Sequence, residues 1–149
     1  MYRESDLVEL KQQLTDEVKC EMDAFLNTKG GTIYIGVADD GTIMPFTDEK
    51  SKDEADLKIC SWIREAFFPM PVDLIKHGFN EDGVLFVEIK EGKDKPYYLR
   101  EKGPKPSGVY KRVGRSKRKA TEEEILAMIM ESKNYSYEKD VSEEQELTF

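Results

Sequence analysis

Between residues 100 and 119 the chain carries Arg100, Lys102, Lys105, Lys111, Arg112, Arg115, Lys117, Arg118 and Lys119 against one acid, Glu101. Cations at that density suit phosphate contact, arginine through a forked pair of donors and lysine as a point charge. The residues expected to touch phosphate are Lys111, Arg112, Arg115, Lys117, Arg118 and Lys119, on a strand end and the loop leading into a helix. Gly114 lets the main chain come close, and Tyr97, Tyr98 and Tyr110 could stack on unpaired bases. The competing reading is a solvated turn whose cations pair with carboxylates of the same protein. The whole chain is −8, so a segment of +8 leaves −16 on the remainder. At physiological salt the Debye length is about 8 Å, so an approaching polyanion feels the segment more than distant acids. Net charge does not exclude nucleic acid.

Other chemistries have less to stand on. Cys20 and Cys60 lie in two separate expected helices without paired zinc-ligand spacing, and read as small buried hydrophobes. His77 is the only histidine, so a two-histidine metal site is excluded and Ser-His or Cys-His catalysis would rest on it alone. It reads as an ordinary strand or turn residue. The pattern G-x4-G-K-[ST] is absent, and Lys29 precedes Gly30 and Gly31, which disfavours ATP hydrolysis.

The elements that must position these groups follow from periodicity. Val8 and Leu10 alternate with Glu9 and Lys11, giving a short strand with one apolar and one polar face. Val18, Met22, Phe25 and Leu26 form one helical stripe, and Thr32 to Val37 is a β-branched strand, so the two strands should be parallel. A second helix is expected over 52–68, ending before Pro69. Strands are expected at 72–75 and 84–89 around the turn Asn80-Glu81-Asp82-Gly83, then at 97–99 and 109–112. A last helix opens at Thr121 with Glu124 completing a capping box, and buries Ile125, Met128 and Ile129. The fold class is α+β: a mixed β-sheet flanked by helices in the order β-α-β-α-β-β-β-β-α. The domain spans 3–133, and 134–149 forms an acidic tail or a truncated linker to a further domain. With 149 residues one core is expected; 38% hydrophobic content excludes a disordered chain. No apolar run spans a bilayer and the N-terminus lacks a secretory signal, so the expectation is cytoplasmic, without membrane partners.

Four parts in fixed order carry a family resemblance: Glu4 and Glu9 before Leu10-Lys11, a helix closing on Ala24-Phe25-Leu26-Asn27-Thr28, Gly30-Gly31-Thr32-Ile33-Tyr34-Ile35-Gly36-Val37, and Asp39-Asp40-Gly41. Lys95-Pro96-Tyr97-Tyr98 and Val109 to Ser116 followed by Ala120 fit the same order. Together, over roughly residues 3 to 131, they resemble the Schlafen-type AlbA-like domain.

That resemblance implies a nucleic-acid-binding domain, for DNA in a transcriptional-regulator-like protein, contacting phosphates through the basic segment, with no cofactor. The alternative it implies is a metal-dependent endoribonuclease. Some family members gather two glutamates at E-x4-E spacing and an aspartate just after the Gly-Gly strand; the matching positions are Glu4, Glu9 and Asp39 or Asp40. Three carboxylates, with Glu4, Glu9 and Asp39 the expected set, can hold Mg²⁺ or Mn²⁺. Residues five apart on a continuous strand point to opposite faces, so Glu4 and Glu9 converge only if the chain bends at Ser5-Asp6. Ala38 stands where the family's usual acid follows Gly-Val, which leaves the third ligand open between Asp39 and Asp40. A third reading is a non-enzymatic protein-interaction domain. A homodimer through residues 84–89 as an edge strand, and further C-terminal domains in a longer protein, complete the expected partners.

Overall fold

The computed structural model describes residues 1–133; the expected tail from 134 onward lies outside the described residues. The chain opens with β1 (Val8–Lys11), α1 (Glu17–Leu26) and β2 (Gly30–Ile35). As expected, β1 and β2 are parallel, with Glu9 opposite Ile33 and Lys11 opposite Ile35. The stripe Val18, Met22, Phe25 and Leu26 on α1 is fully buried. α1 closes at Asn27 in a right-handed conformation, so the positive φ falls instead on Gly30, at +77°. A Cβ at Gly30 would lie 2.5 Å from the Ile89 carbonyl oxygen, and one at Gly31 would strike the Phe25 ring. Two glycines thus allow β2 to close on its neighbours.

There follow α2 (Glu49–Glu65), β3 (Phe67–Phe68), β4 (Ile75–Phe79), β5 (Leu85–Lys90), β6 (Tyr98–Leu99), β7 (Tyr110–Val113) and β8 (Ser116–Lys119). A third helix, α3, covers residues 122–133. The expected α+β class is found, with two strands more than the pattern suggested, β3 and β8. α2 stops short of the expected 68 because residues before a proline favour extended backbone, and Phe67–Phe68 pairs with β6 instead. The strand expected at 72–75 sits at 75–79.

The main sheet runs β1-β2-β5-β4, while β3-β6 and β7-β8 form two-stranded pairs. Residues 84–89 are not at an edge: β5 pairs with β2 on one side and β4 on the other. Its hydrophobic alternation serves burial, since Leu85, Val87 and Ile89 enter the core while Glu88 faces out. A dimer through β5 has no free strand to use. The core lies between this face of the sheet and helices α1 and α2. A second, smaller core of Val109, Ala120, Ile125 and Met128 ties the base of the β7-β8 hairpin to α3. Ile129, expected there, is instead 39% exposed. Among the described residues no helix is long and apolar enough to cross a membrane.

Candidate nucleic-acid interface

β7 and β8 pair antiparallel, placing Lys111 opposite Arg118 and Arg112 opposite Lys117, with Gly114-Arg115 at the turn. Because side chains alternate between faces, this register divides the basic segment in two. Tyr110, Arg112, Lys117 and Lys119 share one face, and Lys111 and Arg118 the other.

The first face lies against α1 and β1, where it meets an unusual surface. Glu9 and Lys11 stand on the same side of the sheet as the core residues Ile33 and Ile35, so the polar face of β1 points into the protein. α1 adds Glu21, buried beside it. Arg112 fills the gap with its side chain 2% exposed. Its Nη1 donates to Glu9 Oε1 at 2.8 Å and lies 3.8 Å from Glu21 Oε1, and Lys11 Nζ reaches Glu21 Oε2 at 3.0 Å. Nη2 donates to the carbonyls of Ser5 (2.8 Å) and Val8 (3.0 Å), and Nε to that of Asp6 (3.2 Å). Below, the guanidinium rests 4.6 Å from the Phe25 ring centroid. Burial pushes both carboxyls up: the Arg112 bond opposes this at Glu9, and the Lys11 bond at Glu21. The expected phosphate contact at Arg112 is corrected. Four of its five N–H donors are committed to interior acceptors, the fifth lies on the nitrogen facing Glu21, and the side chain is too enclosed for a phosphate to reach.

Main-chain bonds fix the same strand to α1. Tyr110 N donates to Asp23 Oδ2 at 2.8 Å, and Asn27 Nδ2 donates to the carbonyls of Tyr97 (2.8 Å) and Tyr110 (2.9 Å). Asn27 Oδ1 accepts from Tyr97 N at 2.7 Å. Burial raises the Asp23 carboxyl well above the usual aspartate range. Burial, then the Cys20 thiol beside it, pushes the Tyr110 hydroxyl up to about 12. Tyr97 is 2% exposed and stacks on nothing outside, contrary to expectation; Tyr98 lies against Phe68 with centroids 5.6 Å apart.

The second face is also partly neutralised. Glu124 accepts from Lys111 Nζ at 2.7 Å and from both terminal nitrogens of Arg118 at 2.8 and 2.7 Å. It also closes the expected capping box with Thr121, at 2.9 and 3.1 Å. Three cationic and main-chain donors, Arg118 foremost, hold the Glu124 carboxyl far below its usual range. Lys117 pairs with Glu17 at 2.7 Å. Arg115 at the turn and Lys119 at the end of β8 are exposed, and among the described residues neither forms an ion pair. Among the described residues the six basic residues thus have three fates: an interior anchor, three surface ion pairs and two cations without an ion-pair partner. Sequence spacing could have separated them, since strand alternation around Gly114 places Arg112 and Lys117 together; the acidic partners on β1 and α1 were not foreseeable from it.

The carboxylates are placed as follows. The chain does bend between Glu4 and Glu9: Ser5 N donates to Val8 O at 3.0 Å across a tight turn, and the Glu4 carboxyl comes near enough to Glu9 to add to the upward push on it, after burial. Asp39 and Asp40 are exposed in the turn after β2, where Asp40 Oδ1 accepts from Thr42 N at 2.9 Å. They do not join Glu4 and Glu9 in a common cluster of donor atoms among the described residues. With Glu9 bound to Arg112 and the third acid elsewhere, this donor set does not fit Mg²⁺ or Mn²⁺ as arranged.

Comparison with known proteins adds the lineage. The chain is similar in structure to the DIP2311 protein from Corynebacterium diphtheriae, with 16% identity and a TM-score of 0.52, over 77% of this chain and 22% of that one. It thus spans about a fifth of that protein's length. The N-terminal domain of a RecG-related protein from Nitrosomonas europaea aligns at 20% identity and a TM-score of 0.47, over 76% of this chain and 82% of that one. No curated protein matches the sequence. The family described as Schlafen, AlbA_2 matches residues 4–121, spanning β1 to the start of α3 and including the Glu4–Glu9 turn, the Gly-Gly strand and the basic hairpin. The chain belongs to the Schlafen AlbA_2 family.

Proposed function

We propose that this domain binds nucleic acid through the exposed cations of the β7-β8 hairpin, as a module of a regulator-like protein. The observation that carries the reading is the exposure of Arg115 and Lys119, unpaired among the described residues, on a hairpin anchored to the body of the domain by Arg112 and Asn27. Lys117 and Arg118 flank them in surface pairs that phosphate can displace, because an exposed ion pair is worth at most about 1 kcal/mol. With Arg112 enclosed and Lys111 held by Glu124, the remaining Arg115, Lys117, Arg118 and Lys119 give a footprint of about four phosphates, a log-log salt slope near −3.6 on duplex DNA. Fluorescence anisotropy with labelled single strands, duplex DNA and tRNA at two or more salt concentrations tests this. A slope near zero, or equal affinity in the Arg115→Ala/Lys119→Ala double variant, overturns it.

Endoribonuclease action is the second reading, favoured by one observation, the approach of Glu4 to Glu9. It requires Arg112 to release Glu9 and an acid from the Asp39-Asp40 turn to move in. Incubating tRNA with Mn²⁺ and following cleavage decides it; absence of products, or undiminished cleavage by Glu4→Gln, rejects it.

A further inference from the structure

His77, which reads in the sequence as an ordinary strand residue, has two reactive neighbours. On β4 it shares a row with Ile75 and Phe79, opposite Val87 of the core-facing row of β5, so its imidazole points at α2. Asp56 and Cys60 are one helical turn apart on α2 and present their side chains in the same direction. Cys60 Sγ lies 3.7 Å from His77 Nε2, and Asp56 Oδ1 lies 3.2 Å from His77 Nδ1. One donor atom from each of the three falls within 4.8 Å of the other two. His77 Nδ1 is sealed from solvent and makes no aligned hydrogen bond, Asp56 standing close but off its axis. None of these residues belongs to the hairpin or to the Glu4–Glu9 turn.

We propose that Asp56, Cys60 and His77 form a binding site for a divalent transition metal of the zinc type, clipping α2 to the edge strand β4. Thiolate, imidazole and carboxylate are the donor classes such ions take, and a hard ion such as Mg²⁺ does not favour the sulfur. The spacing agrees with the chemistry. In a tetrahedral site, Zn–S near 2.3 Å and Zn–N near 2.0 Å put sulfur and nitrogen about 3.5 Å apart, so the pair at 3.7 Å needs to move only by tenths of an ångström. Asp56, its side chain 53% exposed, swings from beside Nδ1 to the third corner, and water takes the fourth. The alternative is a thiol–imidazole contact beside an acid–histidine pair, with no ion; it predicts no metal response.

Cobalt serves as the probe because a tetrahedral Co²⁺ bound by thiolate gains a sulfur-to-metal absorption band. Titration of the wild-type protein is expected to develop that band with one equivalent of Co²⁺, and Zn²⁺ to bleach it. The band is lost in Cys60→Ser and His77→Gln and kept in Cys20→Ser. Asp56→Asn weakens Co²⁺ binding at least about tenfold. One equivalent of Zn²⁺ raises the thermal midpoint of the wild type and of Cys20→Ser only. No band in the wild type, a band surviving Cys60→Ser, or unchanged affinity in Asp56→Asn overturns the site. Should a variant fail to fold, alkylation of the wild type decides: Zn²⁺ protecting Cys60 but not Cys20 from iodoacetamide upholds the proposal, and equal labelling with and without Zn²⁺ overturns it.

Discussion

Arg112 and Arg115 are three residues apart in the same hairpin, yet one is among the most enclosed side chains of the protein and the other stands at an exposed turn. The first has a carboxylate, three carbonyls and an aromatic face around it; the second has no ion-pair partner among the described residues. The difference teaches that a run of cations in a sequence is not a surface property. Strand alternation gives half of it to the interior, and the interior keeps a charge only where compensating groups await it.

Breaking the inner side should have the largest effect. Arg112→Ala leaves Glu9 and Glu21 buried without their shared cation, and denaturant unfolding should show a loss of about 3–5 kcal/mol. Arg112→Lys should recover little of it, because an ammonium cannot reach Ser5, Asp6, Val8 and Glu9 together. A stable Arg112→Ala protein would mean that the enclosed ion cluster contributes nothing.

Next comes a dependence on pH. The folded-state carboxyl of Asp23 is raised by burial above its unfolded value, so its contribution is complete below the unfolded value and is lost as pH rises through the raised folded one, by about 1.4 kcal/mol per unit over that window. The stability of the wild type relative to Asp23→Asn should therefore fall as pH rises above the ordinary aspartate range. A constant difference between pH 4 and pH 8 would contradict the buried, ionisable assignment.

At the exposed cations, Arg115→Ala/Lys119→Ala should leave unfolding unchanged within about 0.5 kcal/mol and reduce the salt slope of binding by about 2. If this pair destabilises the domain as Arg112→Ala does, the distinction between enclosed and exposed cations fails. Glu124→Gln makes the smallest and sharpest change. It releases Lys111 and Arg118 while a glutamine can still serve the Thr121 cap, so binding should tighten a few-fold as measured by anisotropy. The folded-state carboxyl of Glu124 is lowered, so its contribution is lost as pH falls below the ordinary glutamate range; acid should favour release of the same cations.

What could be read in advance was whatever depends on neighbours in the chain. The α1 stripe, the parallel β1-β2 pair, the turn before β5 and the Thr121–Glu124 cap all follow from local period and turn chemistry. The bend at Ser5-Asp6 was also legible, as the condition for Glu4 and Glu9 to meet. What escaped depends on contacts across the chain. Glu9 and Arg112 are 103 residues apart, and nothing near either marks it as half of a buried pair. Tyr97 looked like a stacking residue until Asn27, 70 residues away, drew its main chain inward. Asp56 and Cys60 show helical spacing by themselves, but their relation to His77 exists only once α2 lies over β4.

The bridge from Arg112 to the carbonyls of Ser5, Asp6 and Val8 also joins the first strand of the chain to the last strand pair. Glu21 has Lys11 near it in the chain, but the guanidinium that bonds Glu9 is encoded about a hundred residues later. Pairing of residues this distant is intrinsically slow. The N-terminal turn thus gains its full set of contacts only when the hairpin, last to be synthesised among the strands, docks beneath it.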